Sequence, residues 1–129
     1  MQKIVLPHDH GQDIENRLDV VPREEEFQTV AEIFKQLCDG RRIQIFWLLC
    51  HCEECVINIA AMVGMSSPAV SHHLRQLKNS GLIVSRREGK EVYYRAAETE
   101  QTQLLHATIE KMAAISCLGD FSRHEEMRR

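Results

Sequence analysis

The sequence lacks any apolar run near the roughly 20 residues that a membrane-spanning helix needs. Its first residues, MQKIVLPHDHGQD, reach Pro7 before an apolar segment of signal-peptide length can form. Proline and glycine are also scarce, with three and six residues among 129, which argues against fibrous and disordered chains. We therefore expect a folded cytoplasmic protein with no membrane partner, of a length that suits one compact domain.

The short motifs of common enzyme classes are missing as well. There is no glycine-rich phosphate loop, no Gly-x-Ser-x-Gly turn around a nucleophile and no His-Glu-x-x-His pair. A small enzyme or metal carrier without a nucleic-acid role remains one interpretation, but the residues offer it little. We predict that the chain is not an enzyme.

Cysteine is present in an odd number, five, and three of these residues crowd into CHCEEC as Cys50, Cys52 and Cys55. A reducing cytosol keeps such residues as thiols, so a disulfide framework is not expected. Three thiols so close together exceed what core packing requires and predict metal binding or redox chemistry. Cys38 falls instead on the apolar stripe of a predicted helix, where we expect a buried core residue.

The net charge of -3 is distributed unevenly along the chain. Residues 66–95 carry six basic and two acidic side chains, a balance of +4, whereas residues 1–65 carry -5 and residues 96–129 carry -2. A basic segment inside an acidic chain is typical of a protein that presents one face to phosphate. The charge pattern therefore favours a nucleic-acid partner.

Apolar residues at helical spacing predict a series of helices around a core. A first long helix begins at the acidic run 24–26 and buries a stripe made of Phe27, Val30, Ala31, Phe34, Leu37 and Cys38. A second, over residues 43–49, is apolar on nearly all sides and belongs at the centre of the core. A last helix runs from about residue 98 to 117 with Leu104, Leu105, Thr108, Ile109, Met112 and Ile115 at helical spacing. We expect residues 1–22 to form an arm with a short helix near 14–20, residues 23–118 one domain, and residues 119–129 a disordered tail.

The middle of the chain predicts a tight helix-turn-helix followed by a β-hairpin. A short helix over 56–63 ends at Gly64. Ser66, Ser67 and Pro68 then offer a capping serine and a proline at the first position of a new helix, which runs from Pro68 to about Ser80. Strands over 82–86 and 91–95 follow, joined by a turn at 87–90 that contains Gly89. The expected fold is mainly α with a small β-hairpin, a winged helix-turn-helix of order α-α-α-α-β-β-α.

This unit has the side chains that reading DNA requires. A recognition helix needs short polar groups for base edges, and a basic hairpin adds phosphate contacts on the neighbouring turn. The candidate DNA-binding residues are Ser66, Ser67, Ser71, His72, Arg75 and Gln76 on the helix, with Arg86, Arg87 and Lys90 on the hairpin. His73 is expected to face DNA or to be structural, and His106 to be an ordinary surface residue.

At these residues the chain resembles the ArsR/SmtB family of metal-responsive repressors. SSPAVSHHLRQLKNSGLI followed by SRREGKEVYYR is similar to the family's recognition helix and wing, and FKQLCDGRRIQIFWLL to its first two core helices. The resemblance implies a homodimer joined through its first and last helices. It also implies binding to an inverted-repeat operator in double-stranded DNA, with release when an inducer binds. CDGRR departs from the family, which usually has a proline before the arginine.

The resemblance offers alternative metal sites, and the one on the last helix does not fit. The residues at its positions here are Glu98, Glu100, Lys111 and Ala114, and a lysine with an alanine cannot complete a cage for a divalent cation. The other site lies at the start of the third helix, where the family often has Cys-Val-Cys-Asp. Here the run is CVIN, which keeps only Cys55.

Cys50 and Cys52 stand just upstream and supply the missing sulfur ligands. The three thiolates of Cys50, Cys52 and Cys55 can meet on one ion only if residues 51–54 form a loop. Such a set suits zinc, cadmium, lead or arsenite as inducer, and disfavours magnesium, calcium and manganese. The candidates for a fourth ligand are Cys117, His51, and His8 with His10.

Binding at this cluster controls DNA affinity only if the metal favours one dimer geometry by a coupling free energy of about 1–3 kcal/mol or more. The alternative is a repressor of the same fold that senses oxidation or persulfide through a cysteine pair such as Cys50 and Cys117. Both residues are displaced by about one helical turn from the positions at which related sensors have them.

Overall fold

The computed structural model describes residues 5–18 and 20–128, and side chains only as far as residue 117. The elements in chain order are α1 (Ile14–Arg17), α2 (Glu24–Gln36), α3 (Gly40–Leu49), β1 (Glu54–Cys55), α4 (Val56–Val63), α5 (Ser67–Asn79), β2 (Ile83–Glu88), β3 (Glu91–Ala96) and α6 (Glu100–Arg128). This order confirms the predicted helical fold with a helix-turn-helix and a hairpin, and it adds the short strand β1. The chain divides into two compact units, Met1–Lys35 and Gln36–Arg129.

The first unit contains α1 and nearly all of α2. The acidic run Glu24, Glu25 and Glu26 occupies the first turn of α2, where negative charge stabilises the helix dipole. The predicted buried stripe is wrong for the single chain, because α2 buries no side chain and Phe27, Val30 and Phe34 are each about half exposed or more. The division after Lys35 also differs from the boundary expected at residue 22.

The core of the second unit lies where α3, α4 and α5 meet the start of the hairpin. Its largest fully buried side chains are Phe46, Ile45, Ile59, Leu74, Leu77, Leu82, Ile83 and Val70. Burying each such side chain contributes about 1.5–3 kcal/mol. The central position predicted for α3 is confirmed for Ile45, Phe46 and Leu49, whereas Trp47 keeps 38% of its surface exposed.

Asp39 begins α3 where the family pattern would have a proline nearby. Its Oδ1 accepts hydrogen bonds from the backbone N–H of Arg41 at 2.9 Å and of Arg42 at 3.1 Å. The bond from Arg42 is the main cause that lowers the pKa of Asp39. Arg41 in turn donates from Nη1 to the carbonyl of Val63 at 2.9 Å and so satisfies the end of α4. The side chain of Asp39 therefore caps the start of α3 in the sequence CDGRR.

The sheet has three antiparallel strands in the order β1-β3-β2. Glu88 pairs with Glu91 across a turn made by Gly89 and Lys90, and Gly89 has a φ of 63°, which favours glycine. On the other edge, Glu54 pairs with Tyr94 and Cys55 with Tyr93. The segment that contains the cysteines is thereby joined to the hairpin by backbone pairing.

Two further expectations, for Cys38 and for the C-terminal tail, are corrected by the structure. Cys38 lies beyond the end of α2 and is exposed, because the helix stops at Gln36 before reaching it. On α6, Leu104, Met112 and Ile115 are 62–67% exposed in the single chain. The helix also continues to Arg128 rather than giving way to an irregular tail at 119. Helix-forming residues such as Glu125, Glu126 and Met127 follow Gly119 and offset its cost.

Candidate DNA-binding surface and metal-binding loop

The turn between α4 and α5 sets the direction of the candidate recognition helix. Gly64 ends α4 in the left-handed conformation, with φ at 66°. The Oγ of Ser66 accepts a hydrogen bond from the backbone N–H of Ala69 at 3.3 Å and caps α5, which begins at Ser67 with Pro68 in its first turn. A serine cap was predicted and Ser66 provides it, whereas the helix begins one residue before the expected start at Pro68.

One face of α5 is buried and the other carries the predicted DNA-binding residues. Val70, Leu74 and Leu77 pack into the core. Ser66, Ser67, His72 and Arg75 are exposed, and Ser71 and Gln76 are partly exposed. This polar face is available to a groove of DNA, as a recognition helix requires.

His73, in contrast, is part of the core. It is 8% exposed, and its Nδ1 accepts a hydrogen bond from the Nε of Arg42 at 3.2 Å. Burial lowers its pKa, which the charges of Arg42 and His72 lower further and Asp39 raises. Of the two roles considered for His73, the structure therefore supports the structural one.

The wing presents its basic residues unequally. Arg87 and Lys90 are exposed near the turn. Arg86 pairs with Glu53, 2.6 Å from Nη2, and with Glu88, 2.6 Å from Nη1, and it lies 4.8 Å above the ring of Tyr93. These carboxylates raise the pKa of Arg86, Glu53 foremost, and the bond from Arg86 is the main cause that lowers the pKa of Glu53. The guanidinium is therefore already engaged within the chain.

The loop on which the cysteine site depends is present. The helix α3 ends at Leu49, Cys50 is its C-cap, and residues 51–53 have no helical or strand structure beyond a turn. The thiol of Cys52 donates to the carbonyl of Leu48 at 3.4 Å. Cys55 occupies the N-cap position of α4 without a side-chain cap bond. All three cysteines are partly buried.

The three sulfur atoms do not converge in this structure. Among the described residues, one group of three potential ligands has its atoms within 4.8 Å of one another, and it contains no cysteine. Cys117 is exposed on α6. In the first unit, the rings of His8 and His10 stack with centroids 6.0 Å apart. A metal held by Cys50, Cys52 and Cys55 therefore requires the loop to change shape.

The surroundings of two thiols keep them protonated at neutral pH. Burial, and secondarily the charge of Glu110, raises the pKa of Cys50 to about 11. Burial and the charge of Glu54 raise the pKa of Cys52. Because a thiolate is the metal ligand, an ion that binds here must displace these protons.

The group that does converge consists of His51, His106 and Glu110. The Nε2 atoms of the two histidines lie 3.0 Å apart, and Oε1 of Glu110 lies 3.3 Å from that of His51 and 3.0 Å from that of His106. The indole of Trp47 donates to the same oxygen at 3.2 Å and is the main cause that lowers the pKa of Glu110. His106 is therefore a partly buried member of a cluster, and the expectation of an ordinary surface residue was wrong.

Sequence reasoning missed this cluster because its members lie far apart in the chain. The one local signal is the spacing of His106 and Glu110, four residues apart, which places them on the same face of a helix. His51 was considered only as a fourth ligand for the cysteines. Packing of α6 beside the end of α3 brings the three together.

Comparison with known proteins agrees with this architecture. Residues 39–85 match the model of the bacterial regulatory protein family arsR. The chain is 36% identical to a cadmium resistance transcriptional regulatory protein CadC homolog of Staphylococcus aureus, over 70% of this chain and 75% of that protein. It is 32% identical to the arsenical resistance operon repressor of Escherichia coli, over 73% of this chain and 93% of that one.

Solved structures of similar fold include a homodimeric winged helix-turn-helix DNA-binding domain from Mycobacterium bovis. That domain is 36% identical, with a TM-score of 0.64, over 74% of this chain and 90% of its own. Within the part of the chain that the structure describes, no helix has both the length and the apolar character needed to cross a bilayer. The order of elements, the α4–α5 turn and these similarities together show that the chain belongs to the arsR family of DNA-binding transcriptional regulators, which are not enzymes.

Proposed function

We propose that the protein is a homodimeric repressor that binds an inverted-repeat operator and leaves it when a thiophilic metal ion binds at the cysteine loop, residues 50–55. The proposal rests chiefly on one observation. The loop is joined to the wing through β1 and through the ion pair between Glu53 and Arg86. A change in the shape of the loop therefore reaches the wing, which we expect to contact DNA, through direct contacts within the protein.

The DNA-binding half of the proposal is supported by charge and exposure. The polar face of α5 and the basic tip of the wing both belong to residues 66–95, which carry +4 in a chain of net charge -3. We assign base contacts to the exposed residues of α5, and phosphate contacts to Arg87 and Lys90. Arg86 has this role only when it leaves Glu53.

The metal-binding half is supported by the donor atoms around the loop. Cys50, His51, Cys52 and His106 line a common cavity of about 360 Å³ next to Glu53. Three thiolates from Cys50, Cys52 and Cys55 suit zinc, cadmium, lead or arsenite, and Cys117 and the histidines 8, 10 and 51 remain candidates for a further ligand. The similar proteins from S. aureus and E. coli have names that refer to cadmium and to arsenic resistance.

Exposed apolar residues support the dimer. Leu104, Met112 and Ile115 lie on one face of α6, and each is more than 60% exposed in the single chain. In the first unit, Phe27 and Phe34 are likewise exposed on α2. A second copy of the chain is the occupant we assign to these faces. The similar domain from M. bovis is homodimeric.

The redox alternative has less support. Oxidant and persulfide sensing require a nucleophilic thiolate. Cys50, with a pKa of about 11, holds little thiolate at neutral pH. Metal binding overcomes this barrier by exchanging the proton for the ion, whereas oxidation has no such compensation.

The test is an operator-binding titration with and without metal. A duplex selected from random sequence by the metal-free protein is labelled, and its affinity is measured by fluorescence anisotropy in zinc, cadmium, lead and arsenite. We expect at least one ion to weaken binding tenfold or more, together with a thiolate-to-metal charge-transfer absorption.

Serine substitutions identify the ligands. Changing Cys50, Cys52 or Cys55 should abolish both the absorption and the loss of DNA affinity, and Cys117→Ser tests the fourth position. Cys38→Ser is the matched control and should behave as the original protein, because Cys38 lies outside the loop. Equal operator affinity with and without every ion would contradict the regulatory proposal and leave the DNA-binding one intact.

A further inference from the structure

We infer that His51, His106 and Glu110 form a second cation site, separate from the sulfur ligands of the cysteine loop, for a borderline divalent ion such as zinc, cobalt or nickel. This goes beyond the proposed function, which assigns the inducer to sulfur ligands. Two imidazoles and a carboxylate form a nitrogen and oxygen donor set that first-row divalent ions accept and that has no preference for thiophilic ions.

The distances are those of a coordination shell. The three ligand atoms are separated by 3.0, 3.3 and 3.0 Å. With metal–nitrogen bonds of about 2.0–2.1 Å, neighbouring ligands lie about 2.9 Å apart in octahedral and about 3.4 Å apart in tetrahedral geometry. The donors therefore need little movement to share one ion, in contrast to the cysteines.

Neighbouring groups hold the ligands in place. The Nε1 of Trp47 donates to Oε1 of Glu110 at 3.2 Å, and the ring of Trp47 packs against His51 with centroids 4.4 Å apart. The rings of His51 and His106 meet edge to face at 4.8 Å. Contacts that orient ligands in this way raise metal affinity, because less side-chain freedom is lost on binding.

The location gives an ion at this site a structural effect. His51 follows the end of α3 and immediately precedes Cys52, whereas His106 and Glu110 belong to α6. The side chains of His51, His106 and Glu110 are 44%, 27% and 48% exposed, so an ion can enter from solvent and keep water as further ligands. Binding there would fix the beginning of the cysteine loop against α6.

The test uses the full chain with all five cysteines, at positions 38, 50, 52, 55 and 117, changed to serine, so that no thiol contributes. Cobalt(II) is added and followed by its visible ligand-field absorption and by calorimetry. We expect one ion per chain, without a thiolate-to-cobalt band in the near ultraviolet. His106→Gln and Glu110→Gln should each weaken cobalt binding at least tenfold.

Glu100→Gln is the matched control, because it changes the same residue type on the same helix outside the cluster, and it should leave cobalt affinity unchanged. Circular dichroism checks the fold of each variant. In the serine-substituted chain with cobalt bound, NMR should show paramagnetically shifted imidazole resonances. This measurement needs no change to the three proposed ligands. Absence of saturable cobalt binding, absence of those resonances, or equal affinity in the Gln variants would overturn the inference.

The outcome is separable from that of the cysteine proposal. In the chain that keeps all its cysteines, His106→Gln should leave the cadmium charge-transfer absorption unchanged. In the serine-substituted chain, the same change should weaken cobalt binding. If the cysteine proposal fails instead, that absorption is missing in every variant, and the cobalt titration of the serine-substituted chain is unaffected.

Discussion

Glu53 and Arg86 form a close ion pair, with Oε1 of the carboxylate 2.6 Å from Nη2 and 2.7 Å from Nε of the guanidinium. Glu53 also lies 3.6 Å from Arg95. The pair connects the loop between α3 and β1 to the hairpin. In the proposed function the loop binds the metal ion and the hairpin contacts DNA. While the pair is formed, it keeps a wing arginine away from phosphate.

Releasing Arg86 should strengthen DNA binding. In Glu53→Gln the guanidinium loses its main partner, so we expect operator affinity to rise and the slope of log K against log salt to steepen by up to about one. Glu91→Gln removes a charge from the same hairpin without touching Arg86 and serves as the control. Anisotropy titrations at several salt concentrations measure both. An equal rise in the two variants would mean that net charge alone is responsible.

The capping role of Ser66 and its proposed contact with DNA can be separated by two substitutions. Ser66→Ala removes the bond to the N–H of Ala69 and should reduce the free energy of unfolding by about 0.5–2 kcal/mol. Ser66→Asp restores the cap but places negative charge beside the phosphates, so it should preserve stability and weaken operator binding. Urea unfolding and anisotropy give the two quantities. DNA affinity that follows stability in both variants would argue against a contact by Ser66.

His73 should make the protein less stable in mild acid. Its pKa is lowered by burial, so the unfolded chain binds the proton more readily than the folded one. The stability is complete above the ordinary pKa of about 6.5 and is lost as the pH falls from that value through the lower pKa of the folded state. His73→Asn keeps an acceptor for Arg42 and should flatten this part of the stability profile. His72→Asn removes only the smallest of the causes that lower this pKa and should leave most of the slope in place.

Cys50 should react slowly with alkylating agents in the metal-free protein. A pKa of about 11 leaves far less thiolate at pH 8 than an ordinary cysteine has. We expect iodoacetamide to label Cys50 at least tenfold more slowly in the folded chain than in denaturant, as followed by peptide mass spectrometry with a chelator present. Labelling at equal rates would show that the thiol is not held in its protonated form and would reopen the redox alternative.

A charge on the apolar face of α6 should prevent dimerisation. Leu104 is 67% exposed in the single chain, so Leu104→Glu should fold yet sediment as a monomer and bind the operator poorly. Gln103→Glu adds the same charge to the neighbouring position, away from the apolar side chains. A dimer in both variants would place the interface elsewhere.

The helices and the wing were predictable because each has a local signal. Gly64, Ser66 and Pro68 mark the turn, and Val70, Leu74 and Leu77 give the buried face of α5. The strand β1 was not predictable, because a strand of two residues shows no periodicity and forms only by pairing with β3. The exposure of the α2 and α6 apolar residues was also missed, since periodicity indicates a face and does not say whether this chain or a second one covers it.

The site residues likewise divide into those that have a local signal in the sequence and those that do not. The cysteines stood out by number and spacing, but their separation in the folded chain depends on how α3 ends. Arg86 looked like any basic residue of a hairpin tip until Glu53, 33 positions away, proved to be its partner. His51 and Glu110 likewise meet only through packing, and no pattern in a single sequence reports that.

The pairing of Cys55 with Tyr93 restricts how this protein can vary. Successive strand residues point to opposite sides of the sheet, so one residue inserted or deleted between α3 and β1 must shift the pairing, reverse the side on which Cys55 projects, or bulge the intervening segment. Substitutions in that segment are therefore tolerated more easily than changes of its length. Under the proposed function, homologues whose segment differs there by a single residue should differ in which ion they bind.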